Sequence, residues 1–295
     1  MYCKKDKIIR YGWRTTKERG KIQRYQCKSC SKTFCQDDGF RWKHKSKETI
    51  INTLELYVGG GTTLRFLSRF MGLSTDTILR WLNEYCRMIC RFVKRFKPQI
   101  IEKINIDELF LKMKKTFYYL WDAVCSDSKF AFFFFSDRRD NKSAEELIKQ
   151  FINAFFMIFD GAFAYPTIIK KLKGVDWYYH HTHRCKDFED KKNNNPAERL
   201  QNFVRSLTHQ RRGFKSLEGG RMHFGLLFIY YNFVRIHSAI RMTPAEKAGL
   251  IEYFDAETEN KKWEFLIKAG SRIILMFLPT LFRYTAEREL ASVRP

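Results

Sequence analysis

Residues 104–135 read INIDELFLKMKKTFYYLWDAVCSDSKFAFFFF. Apolar and aromatic side chains fill this stretch without a 3.6-residue period, and residues of that kind favour extended backbone. Three strands are expected, over Ile104 to Lys112, Phe117 to Val124 and Lys129 to Phe135, with Asp127-Ser128 turning the second into the third. Asp107 and Glu108 interrupt the first of them. A carboxylate inside a buried strand costs free energy unless something cationic compensates it, so this pair marks the first candidate for chemistry. Adjacent strand residues point to opposite sides of a sheet, and spacing alone leaves open which of the two does the work.

Working downstream, Ser143 is expected to cap a helix running through Ala154. Phe155 to Phe159 then reads as a buried strand that ends at Asp160-Gly161, and a helix covers Pro166 to Leu172. A fifth strand is expected over Trp177 to Thr182. After a polar loop, Asn195 suits a cap and Pro196 the first turn of another helix. In that helix Leu200, Phe203, Val204 and Leu207 form a packing stripe, while Glu198, Gln201, Asn202, Arg205 and His209 share the opposite face. Three strands, helix, strand, helix, strand, helix is an α/β layer architecture, in the order of the ribonuclease H fold.

Upstream, Ile50, Ile51, Leu54 and Val58 recur at helical spacing before Gly59-Gly60-Gly61. A short helix over Thr62 to Met71, a turn at Gly72-Leu-Ser74 and a second helix from Thr75 to Tyr85 follow helix-turn-helix grammar. Ser74 suits the cap, and Thr77 and Arg80 would lie on the outer face, where a recognition helix meets DNA. Still earlier, Cys27-Lys-Ser-Cys30 has the spacing of a zinc knuckle, and Gly12 and Gly20 suit ribbon hairpins. The second ligand pair is incomplete: Cys3 is followed at the knuckle spacing by Asp6, and either Cys35 or His44 supplies the fourth ligand or the ribbon is a decayed one. The remaining cysteines, Cys86, Cys90, Cys125 and Cys185, read as structural thiols, and His180-His181-Thr-His183 as DNA contact or packing rather than a metal site. The division that results is a partial ribbon over 1–46, a helix-turn-helix domain over 47–97, the catalytic core over 100–250 and a tail of open role over 251–295.

Charge points the same way. The 295 residues hold 55 Lys plus Arg against 32 Asp plus Glu, a formal +23, which self-repels unless a polyanion is the partner. With 44% hydrophobic residues the chain is too apolar for a disordered basic tail. Residues 1–48 carry 15 basic and 5 acidic residues, and residues 199–247 nine basic against Glu218 and Glu246. The surplus therefore gathers at the ribbon and just after Glu198. The apolar runs are too short for a membrane span and the start MYCKKDKIIR lacks a secretory apolar region, so a cytoplasmic, nucleoid-associated protein is expected.

Asp107, Asp160 and Glu198 are the acids whose positions suit divalent ions such as Mg²⁺ or Mn²⁺, two of which can clamp the oxygens of an in-line phosphoryl transfer. Four stretches, Ile106-Asp107-Glu108, Phe159-Asp160-Gly, Asn194-Asn195-Pro-Ala-Glu198-Arg199 with Arg211-Arg-Gly-Phe-Lys215, and Tyr231-Asn-Phe-Val-Arg-Ile-His237 with Thr243-Pro-Ala-Glu246, resemble the DDE transposases of prokaryotic insertion sequences. The resemblance implies an integrase-like core, the catalytic triad Asp107, Asp160 and Glu198, and metal-dependent cleavage and joining of double-stranded transposon ends and target by a homodimer or higher oligomer. It further implies phosphate contacts from Arg199, Arg205, Arg211, Arg212 and Lys215, and a site floor shaped by Tyr231, Asn232, Arg235 and His237. Zn²⁺ at Cys3, Cys27 and Cys30 is the second metal expected. A non-catalytic or decayed DNA-binding regulator and a ribonuclease H-like nuclease that hydrolyses without joining are the competing readings.

Overall fold

The computed structural model describes residues 8–16, 20–35, 39–40, 45–113, 116–161, 164–185, 193–208, 214, 216–253 and 257–276. Cys3, His44, His209, Arg211, Arg212 and Lys215 lie outside the described residues.

The chain begins with a small antiparallel sheet of order β1-β2-β3, formed by Ile8–Thr16, Gly20–Cys27 and Thr33–Cys35. Its register slips by one residue between Arg10 and Trp13, where Gly12 adopts a φ of 71°. Such a bulge inserts an unpaired residue and bends the strand. Within this sheet only Cys27 is buried among the described residues.

Three helices follow. Helix α1 (Lys47–Val58) is capped by the Ser46 hydroxyl and buries Ile50, Ile51, Leu54 and Val58, the residues whose spacing predicts it. Helix α2 (Leu64–Met71) ends at Gly72, whose left-handed φ of 60° and ψ of 39° closes the turn at no Cβ cost. Helix α3 (Thr75–Val93) starts on the Ser74 cap. It runs well past Tyr85, the end expected from sequence, because Cys86, Ile89, Phe92 and Val93 continue its buried stripe.

The central sheet has the order β6-β5-β4-β7-β8. Strands β4 (Lys103–Met113), β5 (Thr116–Cys125) and β6 (Ala131–Ser136) are an antiparallel meander. Strands β7 (Phe156–Phe159) and β8 (Thr182–Arg184) add in parallel on the other side of β4. Helices α4 (Asn141–Ile148) and α5 (Ala164–Lys173) connect the meander to the parallel strands, while α7 (Asn195–Thr208) and α8 (Leu217–Ile229) pack against β4, β5 and β6. This is a ribonuclease H-like α/β core.

Two local expectations are corrected. Asp140, not Ser143, caps α4, its carboxylate accepting from the Ser143 backbone N–H at 2.9 Å. Trp177 to His181 is not strand: Val175–His181 is helix α6, and the fifth strand is confined to Thr182–Arg184. The aromatic residues there carry strand propensity, but Trp177 and His181, one helical turn apart, stack with ring centroids 5.1 Å apart. His181 and His183 therefore share no strand face.

After α8 the helix widens into a π-turn over Tyr230–Val234, closed by the Arg235 N–H on the Tyr230 carbonyl at 2.8 Å. A capping box at Thr243 and Glu246 opens the short α9 (Pro244–Lys247). Helix α10 (Glu259–Met276), in the segment to which sequence assigns no role, buries Trp263, Leu266 and Ile267 against α1 and α3. The Trp263 indole donates to the Glu55 carboxylate of α1 at 2.7 Å. On its other side α3 lies against α8 so closely that a Cβ on Gly225 would fall 2.8 Å from the Cys86 sulfur. One hydrophobic core thus runs from α1 to α3 through the sheet to α10. Among the described residues no helix is long and apolar enough to cross a membrane.

Candidate active site

The parallel pairing of β4 with β7 sets Ile106 beside Phe159, so the next residues, Asp107 and Asp160, emerge side by side at the carboxyl end of β7. Asp107 is half-buried and Asp160 exposed. Helix α7 brings Glu198, in its first turn and exposed, to the same end. The Asp107 carboxyl is pushed up to about 7, first by burial and then by the negative charges of Asp160, Glu108 and Glu198, against the opposing hydrogen bond from the Glu108 backbone N–H at 2.8 Å. Asp160 and Glu198 thus both act electrostatically on Asp107.

Glu108 also has an oxygen within 4.8 Å of oxygens of Asp107 and Asp160. Its environment differs sharply from theirs. It is buried, is ion-paired to the Arg139 guanidinium, whose Nε donates at 3.1 Å, and accepts from the Tyr165 hydroxyl of α5 at 2.9 Å. Both carboxylate oxygens are thus already engaged by the protein, on the face of β4 that meets α5. Asp107 lies on the other face, with α7.

That face carries an acid whose role sequence reading missed. Asp122 is the cross-strand partner of Asp107 and is fully buried. Gln201, one turn beyond Glu198, donates to one Asp122 oxygen at 3.3 Å, and the other oxygen has no hydrogen-bond partner among the described residues. Burial first, then the Asp107 charge, holds the Asp122 carboxyl well above the usual carboxylate range. The available signal was a lone acid in the apolar run Leu-Trp-Asp122-Ala-Val. Gln201, placed by its spacing on the polar face of α7, is in fact buried against the sheet.

Two asparagines fix where α7 begins. Asn194 donates from Nδ2 to the Ile106 carbonyl at 2.9 Å and accepts from Asn105 at 3.1 Å, and Asn105 also reaches the Asn193 carbonyl at 3.2 Å. The start of the helix that carries Glu198 is thereby fastened to the residues flanking Asp107.

Of the remaining expected residues, Arg199 and Arg205 are exposed on α7, Arg80 is exposed on α3 and Thr77 is half-buried. Arg235 stacks on Phe203 of α7 at 4.3 Å from the ring centroid. Burial, then the charges of Arg235 and Lys129, lowers the pKa of His237. Asn232 is buried and spends both ends of its amide on the backbone of Ala131, at 2.8 and 2.9 Å, and so pins the edge strand β6. Cys27 is buried, and Cys30 and Cys35 are half-buried. Asp107, Glu108 and Asp160 are the one trio of potential metal ligands within 4.8 Å of one another among the described residues, so neither these cysteines nor the histidines at 180–183 form such a group there.

A sheet of this order with carboxylates gathered at its central strands and on the helix across them defines a ribonuclease H-like core with an acidic site. Residues 102–223 match the family described as DDE domain. The chain is 27% identical over 121 residues to the transposase for insertion sequence element IS257 in transposon Tn4003 of Staphylococcus aureus, covering 39% of this chain and 54% of the relative. The transposase for insertion sequence-like element IS431mec of Staphylococcus aureus strain Mu50 matches with the same identity and coverage. The chain spans about half the length of these curated relatives. Among solved structures, the simian T-cell lymphotropic virus intasome in complex with PP2A regulatory subunit B56 gamma aligns with a TM-score of 0.39 and 13% identity, over 69% of this chain and 78% of that one. The HTLV-2 integrase catalytic core domain in complex with magnesium aligns with a TM-score of 0.37 and 12% identity, over 52% and 99%.

Proposed function

We propose that this protein is a transposase that cleaves the ends of an insertion sequence and joins them to target DNA, with Asp107, Asp160 and Glu198 as the catalytic carboxylates. The observation that carries the reading is the β4–β7 register that sets Asp107 beside Asp160, with Glu198 close enough to act on Asp107, within a segment that matches a DDE domain. A half-buried carboxyl pushed up to about 7 by burial and by its acidic neighbours is a site that lacks positive charge, and its hard oxygen donors fit Mg²⁺ or Mn²⁺. Two such ions, held by Asp107, Asp160 and Glu198, would supply the Lewis acidity and charge neutralisation of in-line phosphodiester transfer.

The chain's own residues do the positioning. Asn105 and Asn194 hold Glu198 over β4, and Gln201 ties α7 to Asp122 beside Asp107. Arg199 and Arg205 line the exposed side of α7, where they would grip substrate phosphates with Arg211, Arg212 and Lys215 of the following segment, and with Arg235 and His237. Helices α2 and α3 would act as a helix-turn-helix, with Thr77 and Arg80 reading duplex DNA at the transposon ends, and the β1-β2-β3 module as a ribbon in which Zn²⁺ is held by Cys27 and Cys30 with Cys3. A homodimer or higher oligomer on DNA in the cytoplasm completes the reading.

The test is purified protein with Mg²⁺ or Mn²⁺ and a labelled duplex bearing the terminal inverted repeats that flank its gene. Nicked and strand-transfer products are expected, and Asp160→Asn should reduce both to background while duplex affinity is retained. Unchanged turnover in the Asp160→Asn protein would refute the site, and cleavage without joining would make the protein a nuclease.

A further inference from the structure

The β1-β2-β3 sheet holds an aromatic row that duplex recognition by α3 leaves unused. Antiparallel partners share a face, as do residues two apart on one strand. The register pairs Trp13 with Gln23, Arg10 with Tyr25, and Tyr25 with Phe34. Arg10, Trp13, Tyr25 and Phe34 therefore lie on one face, and each strand contributes one ring. Tyr25 and Phe34 already stack, with centroids 5.8 Å apart and planes at 25°. Trp13 leaves 64% of its surface exposed at the end of this row.

We propose that this face is a stacking platform for single-stranded DNA, an inference that rests on the DNA-processing reading above and names a substrate form for it. Charge selects the occupant. From Ile8 to Cys35 the sequence has eight Lys or Arg and one acid, Glu18, so the sheet repels cationic partners and attracts a polyanion. The rings then select the form of the polyanion: a duplex hides its base faces and offers edges and phosphates, whereas an unpaired strand presents a face that an indole can cover. The opposite face is organised differently, since there Arg24 lies 5.5 Å from the Tyr11 ring centroid and donates to Thr33 at 3.1 Å. Strand transfer passes through single-strand ends, and a basic aromatic sheet on the same chain as the carboxylates would hold one.

The experiment uses the full chain and fluorescence anisotropy with a labelled oligothymidine of about 15 nucleotides, alongside a duplex of equal length. Trp13→Ala should weaken oligothymidine binding about tenfold while duplex affinity changes by less than about twofold, and Trp13→Phe should restore most of the loss. Because Trp13 is exposed, circular dichroism of the variants should match the parent. Unchanged oligothymidine affinity in Trp13→Ala, or an equal loss on both DNA forms, would overturn the platform. Asp160→Asn measured in parallel should keep the full single-strand affinity, so a failure of the catalytic reading would show in cleavage and leave the Trp13 result standing on its own.

Discussion

Asp107 and Glu108 are neighbours in sequence with the same chemistry, yet they sit in opposite electrostatic situations. Arg139 and Tyr165 compensate Glu108, whereas Asp107 is desolvated among like charges. An acid already satisfied by the protein has less to gain from a cation than one that is not. Glu108→Gln should therefore cost about 1 kcal/mol of stability or more by weakening the Arg139 pair, and keep metal-dependent cleavage within about tenfold. Asp107→Asn should abolish cleavage with little loss of stability. Chemical denaturation and the end-cleavage assay measure the two effects, and the reverse pattern would make Glu108 the ligand. The sequence shows that one of these acids faces each side of the strand. It does not show which side receives α7, because that depends on how the chain crosses the sheet some ninety residues later.

At the scale of elements, α7 matters most because it delivers Glu198. Asn195 and Pro196 announce its start in the sequence, and the helix begins there. Asn194, just before, is what fastens it to β4. Asn194→Ala removes both hydrogen bonds and should cost about 1–3 kcal/mol, seen as a lower denaturation midpoint. Because Glu198 then loses its fixed approach to Asp107, the cleavage rate should fall at least about tenfold with DNA affinity nearly unchanged. A drop in affinity alone would assign Asn194 to substrate binding. Elements with strong local signals were legible: the stripe of α1, the cap at Ser74, and the β4-β5-β6 meander. Trp177 to His181 was not, since a segment of aromatic residues fits either period and only its neighbours chose helix.

Over the whole molecule, helices far apart in sequence meet at a half-buried acid. Glu55 of α1 accepts from Trp263 of α10, with Glu259 and Tyr230 also acting on it. Burial, with the Glu259 charge, raises its pKa from the ordinary 4.5 to about 7. The folded chain therefore holds a proton that the unfolded chain releases at lower pH. Its contribution to stability is full below about 4.5 and is lost as pH rises through about 7. Glu55→Gln keeps an acceptor for the indole and removes the titration. The variant should gain midpoint temperature relative to the parent at pH 8 and lose that advantage at pH 4.5, as differential scanning fluorimetry across this interval would show. A pH-independent difference would place the proton elsewhere.

The sequence by itself determined the order of strands and helices in the core except for α6, the three acids worth testing, and the charge that points to a polyanion, because these follow from short-range periodicity, caps and composition. Tertiary structure alone decided that Asp107 rather than Glu108 shares a face with α7, that Asp122 and Gln201 lie behind it, and that α10 closes the core against α1 and α3. Each of these is a contact between residues distant in the chain, set by crossover connections and packing that local pattern does not encode.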